Sequence, residues 1–264
     1  YLERAEDTAR FVDVNIRLSL DLPDYGNPQW EPLIMVTGDS DVFQEAYPDC
    51  SKENVIHFLA FDSEYPNSII SSLRMARENA RAVRAEIPDE LWEHMNKLYL
   101  YVKQVANRDK SNGAADYSAF DFFQRVKNDC ATIHGIASDT MLRDEGWNWL
   151  HLGQHIERAD KASRIVDIKY FILLPSTSEI GSPFDNQQWA ALLNSLGAMQ
   201  VYRKTYGKIS HKSVAEFLIL NRDFPRSLLY NLIQAESSMH VITGNPPGAF
   251  GNAAERKLGK LRAE

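Results

Sequence analysis

The chain has 264 residues, of which 25% are charged and 44% hydrophobic, an ordinary composition for a globular protein. A net charge of −7 argues against nucleic acid as a partner, because contacts to phosphates need a basic face. Cys50 and Cys130 stand far apart without a partner motif, which is typical of reduced thiols in a cytoplasmic protein, and no apolar run approaches the roughly 20 residues that cross a bilayer.

The first predicted element is a helix from Tyr1 to about Leu20. Because it starts inside a helical pattern with neither a methionine nor a cap, further residues are expected upstream. At 100° per residue, four of its charged residues fall within roughly 80° of one another and form one narrow stripe. The stripe consists of Glu3, Glu6, Arg10 and Asp13. Glu6 and Arg10 are four positions apart, the spacing of an ion pair on one helical face.

Four more helices are predicted before residue 108, because prolines and other turn residues separate the apolar periods. These helices span Trp30–Tyr47, Lys52–Phe61, Pro66–Ala85 and Pro88 to about Asn107. Pro66 and Pro88 are placed at helix starts, where a missing N–H is tolerated. A polar loop is predicted over 108–116, followed by a linking helix over about 117–143.

The helix Pro66–Ala85 carries a row of arginines on one face, opposite its apolar face. The row consists of Arg74, Arg77, Arg81 and Arg84. Three interpretations are open. The row is a solvated polar face, or it pairs with carboxylates of the first helix such as Glu3 and Asp13, or it binds an anionic ligand or partner.

The stretch His155–Leu174 is predicted to be a second charged helix. Its stripe consists of Glu157, Asp160, Arg164 and Asp167, and apolar residues flank it on both sides. This pattern predicts burial on most sides of the helix. Since buried charges must be paired, we interpret the stripe as an internal ion-pair network, with Asp160 and Arg164 again four positions apart. A polar cleft that receives a ligand or a partner's side chain, and a solvated surface, are the alternatives.

The two charged helices belong to a longer repetition. Glu3, Arg4 and Arg10 align with Glu157, Arg158 and Arg164 at a shift of 154 residues. From Gln29 to Ser68, a constant shift of 159 residues aligns many positions with the second half, such as Trp30 with Trp189. We therefore predict an all-α protein, a single bundle of about ten helices that forms one domain over 1–264. Internal duplication of about 1–107 and 146–262 would give it approximate two-fold symmetry.

No catalytic or metal-binding signature stands out. The strings G-x-S-x-G, Walker A and G-x-G-x-x-G are absent. The Glu-x-x-His pair of carboxylate-bridged metal centres in helical bundles is absent as well. His151 and His155 have the spacing of a zinc pair, but their face lies away from Glu157. We expect neither a metal nor a cofactor, and the sequence favours a non-catalytic role.

Several separate motifs carry a family resemblance. They are Glu3-Arg4, Glu157-Arg158, the run SLRMARENARAVR over 72–84 and the run GWNWLHLGQHIERAD over 146–160. With these motifs in this order, the chain resembles the bacterial alpha-E family, which is named for an all-helical domain with a Glu-Arg motif. The resemblance covers nearly the whole chain, apart from further helix that family members have ahead of Tyr1.

The resemblance implies a cytoplasmic, non-catalytic helical binding or scaffold component. Members of the family are encoded with circularly permuted ATP-grasp proteins and transglutaminase-like peptidases, in systems proposed to make or modify peptides. Neither a membrane nor nucleic acid is an expected partner, and a homo-oligomer is compatible with this interpretation. The alternatives are an enzyme that uses Glu157 and Asp160 as acid and base, and an anion- or peptide-binding module that acts through the arginine row.

The candidate ligand- or partner-binding residues follow from the stripes and from the family motifs. They are Glu3, Arg4, Arg10, Glu157, Arg158, Asp160 and Arg164 on the charged helices, and Arg77, Glu78, Asn79, Arg81 and Arg84 on the arginine helix. In the second half, Glu236, Ser237 and Ser238 replace the Arg-Glu-Asn run, which puts a symmetric pair of sites in doubt.

Overall fold

The computed structural model describes residues 1–21, 30–112, 118–171 and 182–264. Within these ranges every regular element is an α-helix, which confirms the predicted all-α fold class. The described parts contain thirteen helices rather than about ten. They are α1 Leu2–Asp21, α2 Glu31–Thr37, α3 Ser40–Ala46, α4 Lys52–Ala60, α5 Ile69–Ala82, α6 Asp89–Asn112, α7 Ala119–Thr140, α8 Glu145–Phe171, α9 Pro183–Ser195, α10 Met199–Tyr206, α11 His211–Leu220, α12 Leu228–Thr243 and α13 Ala253–Ala263.

The helices group into two compact units, Tyr1–Met141 with α1–α7 and Leu142–Glu264 with α8–α13. In the first unit, α1 packs against α5 and α7, and α6 packs against the same two helices. In the second unit, α12 packs along α8 and also contacts α11 and α13. None of the helices in the described ranges is long and apolar enough to cross a membrane.

Two glycines explain part of the larger number of helices. Gly38 has a φ of 77°, and its N–H donates to the Met35 carbonyl, which ends α2. Gly197 has a φ of 64° and follows α9 in the same way. Glycine is favoured in this left-handed conformation because it has no Cβ to clash with the backbone. The predicted continuous helix Trp30–Tyr47 is therefore wrong, since α2 and α3 are separate.

Other helix boundaries also differ from the prediction. α5 starts after Ser68, whose hydroxyl accepts a hydrogen bond from the Ser71 N–H (3.2 Å), so Pro66 precedes the cap and does not occupy the first turn. α6 continues to Asn112, so the predicted loop over 108–116 starts too early, and residues 113–117 lie outside the described ranges. The end of the predicted helix His155–Leu174, beyond Phe171, also lies outside them.

An aromatic cluster forms part of the core of the first unit. The Phe58 ring is fully buried, and its centroid lies 3.9 Å from that of Tyr65, 5.1 Å from Phe43 and 5.8 Å from Tyr47. The stacked and edge-to-face geometries are those that aromatic quadrupoles favour. This cluster joins α3, α4 and the turn that precedes α5.

The second unit contains the same cluster. The Phe217 centroid lies 4.8 Å from that of Phe224, 5.6 Å from Tyr202 and 5.8 Å from Tyr206. Each of these residues lies 159 positions after its counterpart, and the starts of α10, α11 and α12 lie 159 positions after those of α3, α4 and α5. The register predicted from the sequence therefore recurs in the local structure of both units. The duplication itself, the single domain and its two-fold symmetry stay predictions.

One carboxylate holds the connection between α12 and α13. Glu255 is 2% exposed and accepts hydrogen bonds from the Asn245 amide (2.9 and 3.1 Å) and from the N–H groups of Gly251 (2.6 Å) and Asn252 (3.3 Å). The Thr243 hydroxyl also donates to it. In return the Asn252 side chain accepts from the Glu255 N–H, which completes a capping box. The donors, first Thr243 and then Asn245, lower the pKa of Glu255 to about 2.

We expect the backbone amides of α13 to lose protection against hydrogen exchange in acid as Glu255 is protonated. Because the pKa of Glu255 is lower in the folded chain than its ordinary value of 4.5, its stabilising contribution is complete above about pH 4.5 and is lost as the pH falls toward 2. Hydrogen exchange of α13 amides, corrected for intrinsic rates, should show this loss, and Glu255→Gln should abolish the pH dependence. The exposed Glu264→Gln serves as the control. Protection that does not change across this window would contradict the prediction.

Candidate functional site

The carboxylates of the charged stripe of α1 are buried. Glu3, Glu6 and Asp13 expose only 2%, 2% and 3% of their surfaces. The cause is the packing of α1 against both α5 and α7. Buried carboxylates need compensating charges or hydrogen bonds, so their surroundings decide what the stripe does.

Both arginines of the α1 motif donate hydrogen bonds to other residues of the first unit. Arg10 donates to Glu6 Oε1 from Nε (2.8 Å) and from Nη2 (2.5 Å), which is the predicted ion pair. Arg4 Nη1 donates to Asn67 Oδ1 (2.6 Å), and the Asn67 amide donates to Asp39 Oδ2 (3.1 Å). Arg4 thereby joins α1 to the turn before α5 and to the residue that precedes α3.

Helix α7 supplies two further partners of the stripe, which the sequence analysis missed. Lys127 Nζ lies 2.5 Å from Asp13 Oδ2. His134 Nε2 lies 3.3 Å from Glu3 Oε2 and 3.6 Å from Glu6 Oε2. Lys127 and His134 are seven positions apart, so they lie two turns apart on one side of α7, at the edge of its buried face. The seven-residue spacing was the feature of the sequence that could have indicated that both side chains lie on one side of α7.

A buried thiol lies on the same side of α7. Cys130 is fully buried, and the burial, followed by the charges of Glu6 and Glu3, raises the pKa of its thiol well above the ordinary value. A thiol with a raised pKa carries little thiolate at neutral pH and is a poor nucleophile. Cys130 is therefore a structural residue rather than a reactive one.

The stripe of α8 is more open than predicted. The side chains of Asp160 and Arg164 are 42% and 40% exposed, and Asp167 is exposed. α12 packs on the face of α8 that contains the buried Ala159, whereas Ile156 on the other flank is 48% exposed. Burial along the α8 stripe is therefore uneven, because the Glu157 side chain is only 14% exposed and α8 contacts α9 and α11 as well as α12.

The candidate residues of α8 are brought together by local ion pairs. Arg164 Nε donates to both oxygens of Asp160 at 2.9 Å, as the spacing predicts. Lys161 Nζ lies 3.9 Å from Glu157 Oε1 and 3.8 Å from Asp160 Oδ2. Arg158 is half-buried on the same helix. These contacts form a charge network along one helix, in which the side chains of Lys161 and Glu157 are only 12% and 14% exposed.

Arg77 is the most enclosed member of the arginine row on α5. Its Nε donates to Asn96 Oδ1 and its Nη1 to Glu78 Oε1, both at 2.7 Å. The guanidinium carbon lies 5.5 Å from the centroid of Trp92 and 5.3 Å from that of Tyr99, within cation–π range. Arg77 therefore links α5 to α6.

The rest of the arginine row faces outward. Arg81 is 67% exposed and lies 3.5 Å from Glu78, Arg84 pairs with Asp89, and Arg74 and Asn79 are exposed. In the described part of the chain the row pairs with α6 and with Glu78, so the interpretation in which it pairs with the first helix is wrong. Within the first unit, the ion pairs of the α1 carboxylates include Arg10 and Arg17 of α1 and Lys127 of α7.

The histidine pair of α8 serves packing. His155 is buried, and its Nδ1 lies 2.8 Å from Asn231 Oδ1 on α12. The His151 and His155 rings meet edge to face at 5.3 Å, and Trp147 covers His151 at 3.9 Å. Both rings therefore take part in packing contacts of α8.

The second unit uses the positions of Arg77 and Arg81 differently. The matching residues of α12, Glu236 and His240, are 8% and 7% exposed. Glu236 Oε2 lies 3.0 Å from Arg262 Nε of α13. His240 contributes to the wall of an open cavity of about 350 Å³. An arginine surface therefore occurs on α5 and is not repeated on α12.

Among the described residues, one group of three side chains has the donor atoms and the closeness for a metal ion. It consists of Glu3, Glu6 and His134, and one donor atom from each lies within 4.8 Å of the others. Glu3 and Glu6 belong to the stripe predicted from the sequence, but no metal was expected there, and periodicity within α1 does not connect them with α7.

Comparison with known proteins gives one family and three relatives. A family model described as a predicted alpha-helical domain with a conserved ER motif matches residues 1–264. One uncharacterized protein of Mycobacterium bovis and two of Mycobacterium tuberculosis are 23% identical to this chain over 98% of its length. The chain spans only 30% of the length of these relatives. No solved structure matches.

Proposed function

The chain belongs to the Alpha-E family, and on that premise we propose that it is a non-catalytic helical binding component of a bacterial peptide synthesis or modification system. Its partners in this proposal are the ATP-grasp-type and transglutaminase-like proteins of the same cytoplasmic system. The family resemblance supports the class of partner, and the exposed surfaces of the helices support where such a partner binds.

One observation carries the proposal: the charged residues of the α1 motif form ion pairs and hydrogen bonds with other residues of the first unit. Glu3 and Glu6 are each 2% exposed, Arg10 binds Glu6, and Arg4 binds Asn67. A general acid or base must come within hydrogen-bond distance of a substrate proton, directly or through one water. Carboxylates held this deep, in contact with cations and imidazole, support the fold. Recognition then falls to exposed residues.

The α5–α6 face is the recognition surface in this proposal. Arg81 is 67% exposed and Arg74 is also exposed, while Arg77 lies within cation–π range of Trp92 and Tyr99. Arginine and large aromatic residues are enriched in the energetic centres of interfaces. Guanidinium groups bind carboxylates in a bidentate manner. The partner segment that fits this face is therefore acidic.

The relatives support a role within a larger assembly. In the mycobacterial proteins the matched segment is 30% of the chain, so there the domain is covalently joined to other segments. A domain that occurs inside longer proteins and pairs its motif charges internally is suited to binding and positioning other components.

Affinity measurements between this chain and the two partner proteins test the proposal. We expect co-purification, and we expect Arg74→Glu and Arg81→Glu to weaken binding by roughly tenfold or more, because each places like charge against an acidic segment. Lys52→Glu is the matched control, since it makes the same charge change at an exposed position of α4 and should leave the affinity unchanged.

Two results would overturn the proposal. One is the absence of association with either protein. The other is turnover of a peptide substrate by the isolated chain that Glu157→Gln abolishes without unfolding, which would establish the enzyme alternative. The packing of Lys161 against both Glu157 and Asp160 argues for a local ion-pair network there instead.

A further inference from the structure

We propose that Glu3, Glu6 and His134 form a binding site for one divalent transition-metal ion, with Zn²⁺ as the probe. The site joins α1 to α7 within the first unit. It is separate from the partner surface proposed on α5, and it runs against the expectation from the sequence that no metal binds.

The distances between the donor atoms fit a tetrahedral ion. His134 Nε2 lies 3.3 Å from Glu3 Oε2 and 3.6 Å from Glu6 Oε2. Ligands that lie about 2.0 to 2.2 Å from a tetrahedral zinc ion are roughly 3.3 to 3.6 Å from one another. A direct N–H···O hydrogen bond is shorter, at about 2.7 to 3.2 Å. The imidazole nitrogen is therefore spaced from each carboxylate as two ligands of one ion would be, and the donor atoms of all three groups lie within 4.8 Å of one another.

The chemistry of the donors agrees with this geometry. Carboxylate and imidazole are ligands of Zn²⁺ and of other first-row divalent ions. Two carboxylates offset the charge of a divalent ion and the imidazole binds as a neutral ligand, while Arg10 stays paired with Glu6, in a place where Glu3 and Glu6 are 2% exposed. Three protein ligands leave a fourth position for water or a ligand group, as in open zinc sites.

Neighbouring groups hold the ligands in place. Arg10 binds Glu6 through Oε1, which leaves Oε2 as the oxygen near His134. Such outer contacts orient metal ligands and fix their conformation. Glu3 and Glu6 are three positions apart on one helix and therefore share a face. The His134 side chain is 20% exposed, compared with 2% for Glu3, so an ion enters from the imidazole side.

The alternative for the same three residues is an imidazolium between two carboxylates. The two arrangements differ by one proton, because a metal ion bound to Nε2 takes the place of the proton that an imidazolium carries on that nitrogen. They also differ in whether the chain has a stoichiometric affinity for metal. Both differences are measurable on the intact chain.

Equilibrium dialysis of the chelator-treated full chain against zinc chloride, read by elemental analysis, tests the site. We expect one zinc ion per chain, with His134→Gln and Glu3→Gln each lowering the affinity at least about tenfold. His94→Gln on α6, where Nδ1 lies 3.0 Å from the Glu90 carbonyl, is the matched control and should bind zinc normally. Arg81→Glu, the variant expected to weaken partner binding, should leave zinc binding unchanged. Failure of the zinc site and failure of the partner proposal can therefore be told apart.

A second measurement needs no substitution, so it tests the site even if the variants do not fold. X-ray absorption of the zinc-loaded unsubstituted chain should show nitrogen and oxygen ligands alone. Sulfur in the coordination shell would point to a cysteine ligand, Cys50 or Cys130, and overturn the assigned ligand set. The proposal also fails if zinc does not bind stoichiometrically, or if binding survives both substitutions.

Discussion

Replacing Lys127 with methionine should lower the free energy of unfolding by about 3 kcal/mol. The Asp13 side chain is 4% exposed, and Lys127 Nζ lies 2.5 Å from its Oδ2. Removing the ammonium leaves the buried Asp13 carboxylate without its main positive partner. An unpaired buried charge destabilises the fold by more than the intact ion pair stabilises it. Arg17 Nε stays 3.3 Å from the same carboxylate, but its side chain is 51% exposed, so it offsets only part of the loss.

The matched variants separate the buried charge from the contact itself. Lys97→Met removes the exposed pair with Glu93 on α6 and should change stability by less than about 1 kcal/mol. Combining Lys127→Met with Asp13→Asn removes both charges and should recover most of the stability. Urea unfolding followed by circular dichroism measures all four proteins, the unsubstituted chain included. A Lys127→Met chain as stable as the Lys97→Met chain would show that Asp13 does not depend on α7.

Contacts within one helix were predictable from sequence spacing alone. Glu6 with Arg10 and Asp160 with Arg164 are each four positions apart, and both pairs form at 2.5 to 2.9 Å. The rise and turn of an α-helix determine which side chains meet, so no knowledge of tertiary packing is needed.

Contacts between helices were not predictable in the same way. Lys127 meets Asp13 across 114 residues, and His134 meets Glu3 and Glu6 from the same distant helix. Periodicity indicates that a face is covered, but it does not identify the helix that covers it. The candidate metal site depends on that missing information, which is why the sequence analysis found its two glutamates and missed the site.

The two charged helices show how packing separates similar sequences. The Glu6 side chain of α1 is 3% exposed, whereas the side chain of the aligned Asp160 of α8 is 42% exposed. In the described structure α5 and α7 both pack on α1, whereas α8 packs mainly on α12. Pattern alone predicted equal burial, and the difference lies in the neighbouring helices of each unit.

Truncation of Phe58 to alanine should lower the free energy of unfolding by about 3 to 5 kcal/mol. Its side chain is fully buried and stacks on Tyr65 at 3.9 Å. The loss combines the transfer free energy of the ring with a cavity that the surrounding rings fill only in part. Phe217→Ala should cost a similar amount, because Phe217 is 1% exposed and occupies the same place in the second cluster.

Local measurements distinguish these two truncations from a general loss of stability. Hydrogen exchange should rise first in α3 to α5 for Phe58→Ala and in α10 to α12 for Phe217→Ala, since each ring packs within its own unit. Leu100→Ala and Leu220→Ala are controls at positions 51% and 59% exposed and should cost less than about 1 kcal/mol. A large cost at Phe58 with a small one at Phe217 would show that the second cluster has the geometry of the first without its energetic role. The shared 159-residue register would then describe the path of the backbone but not the distribution of stability.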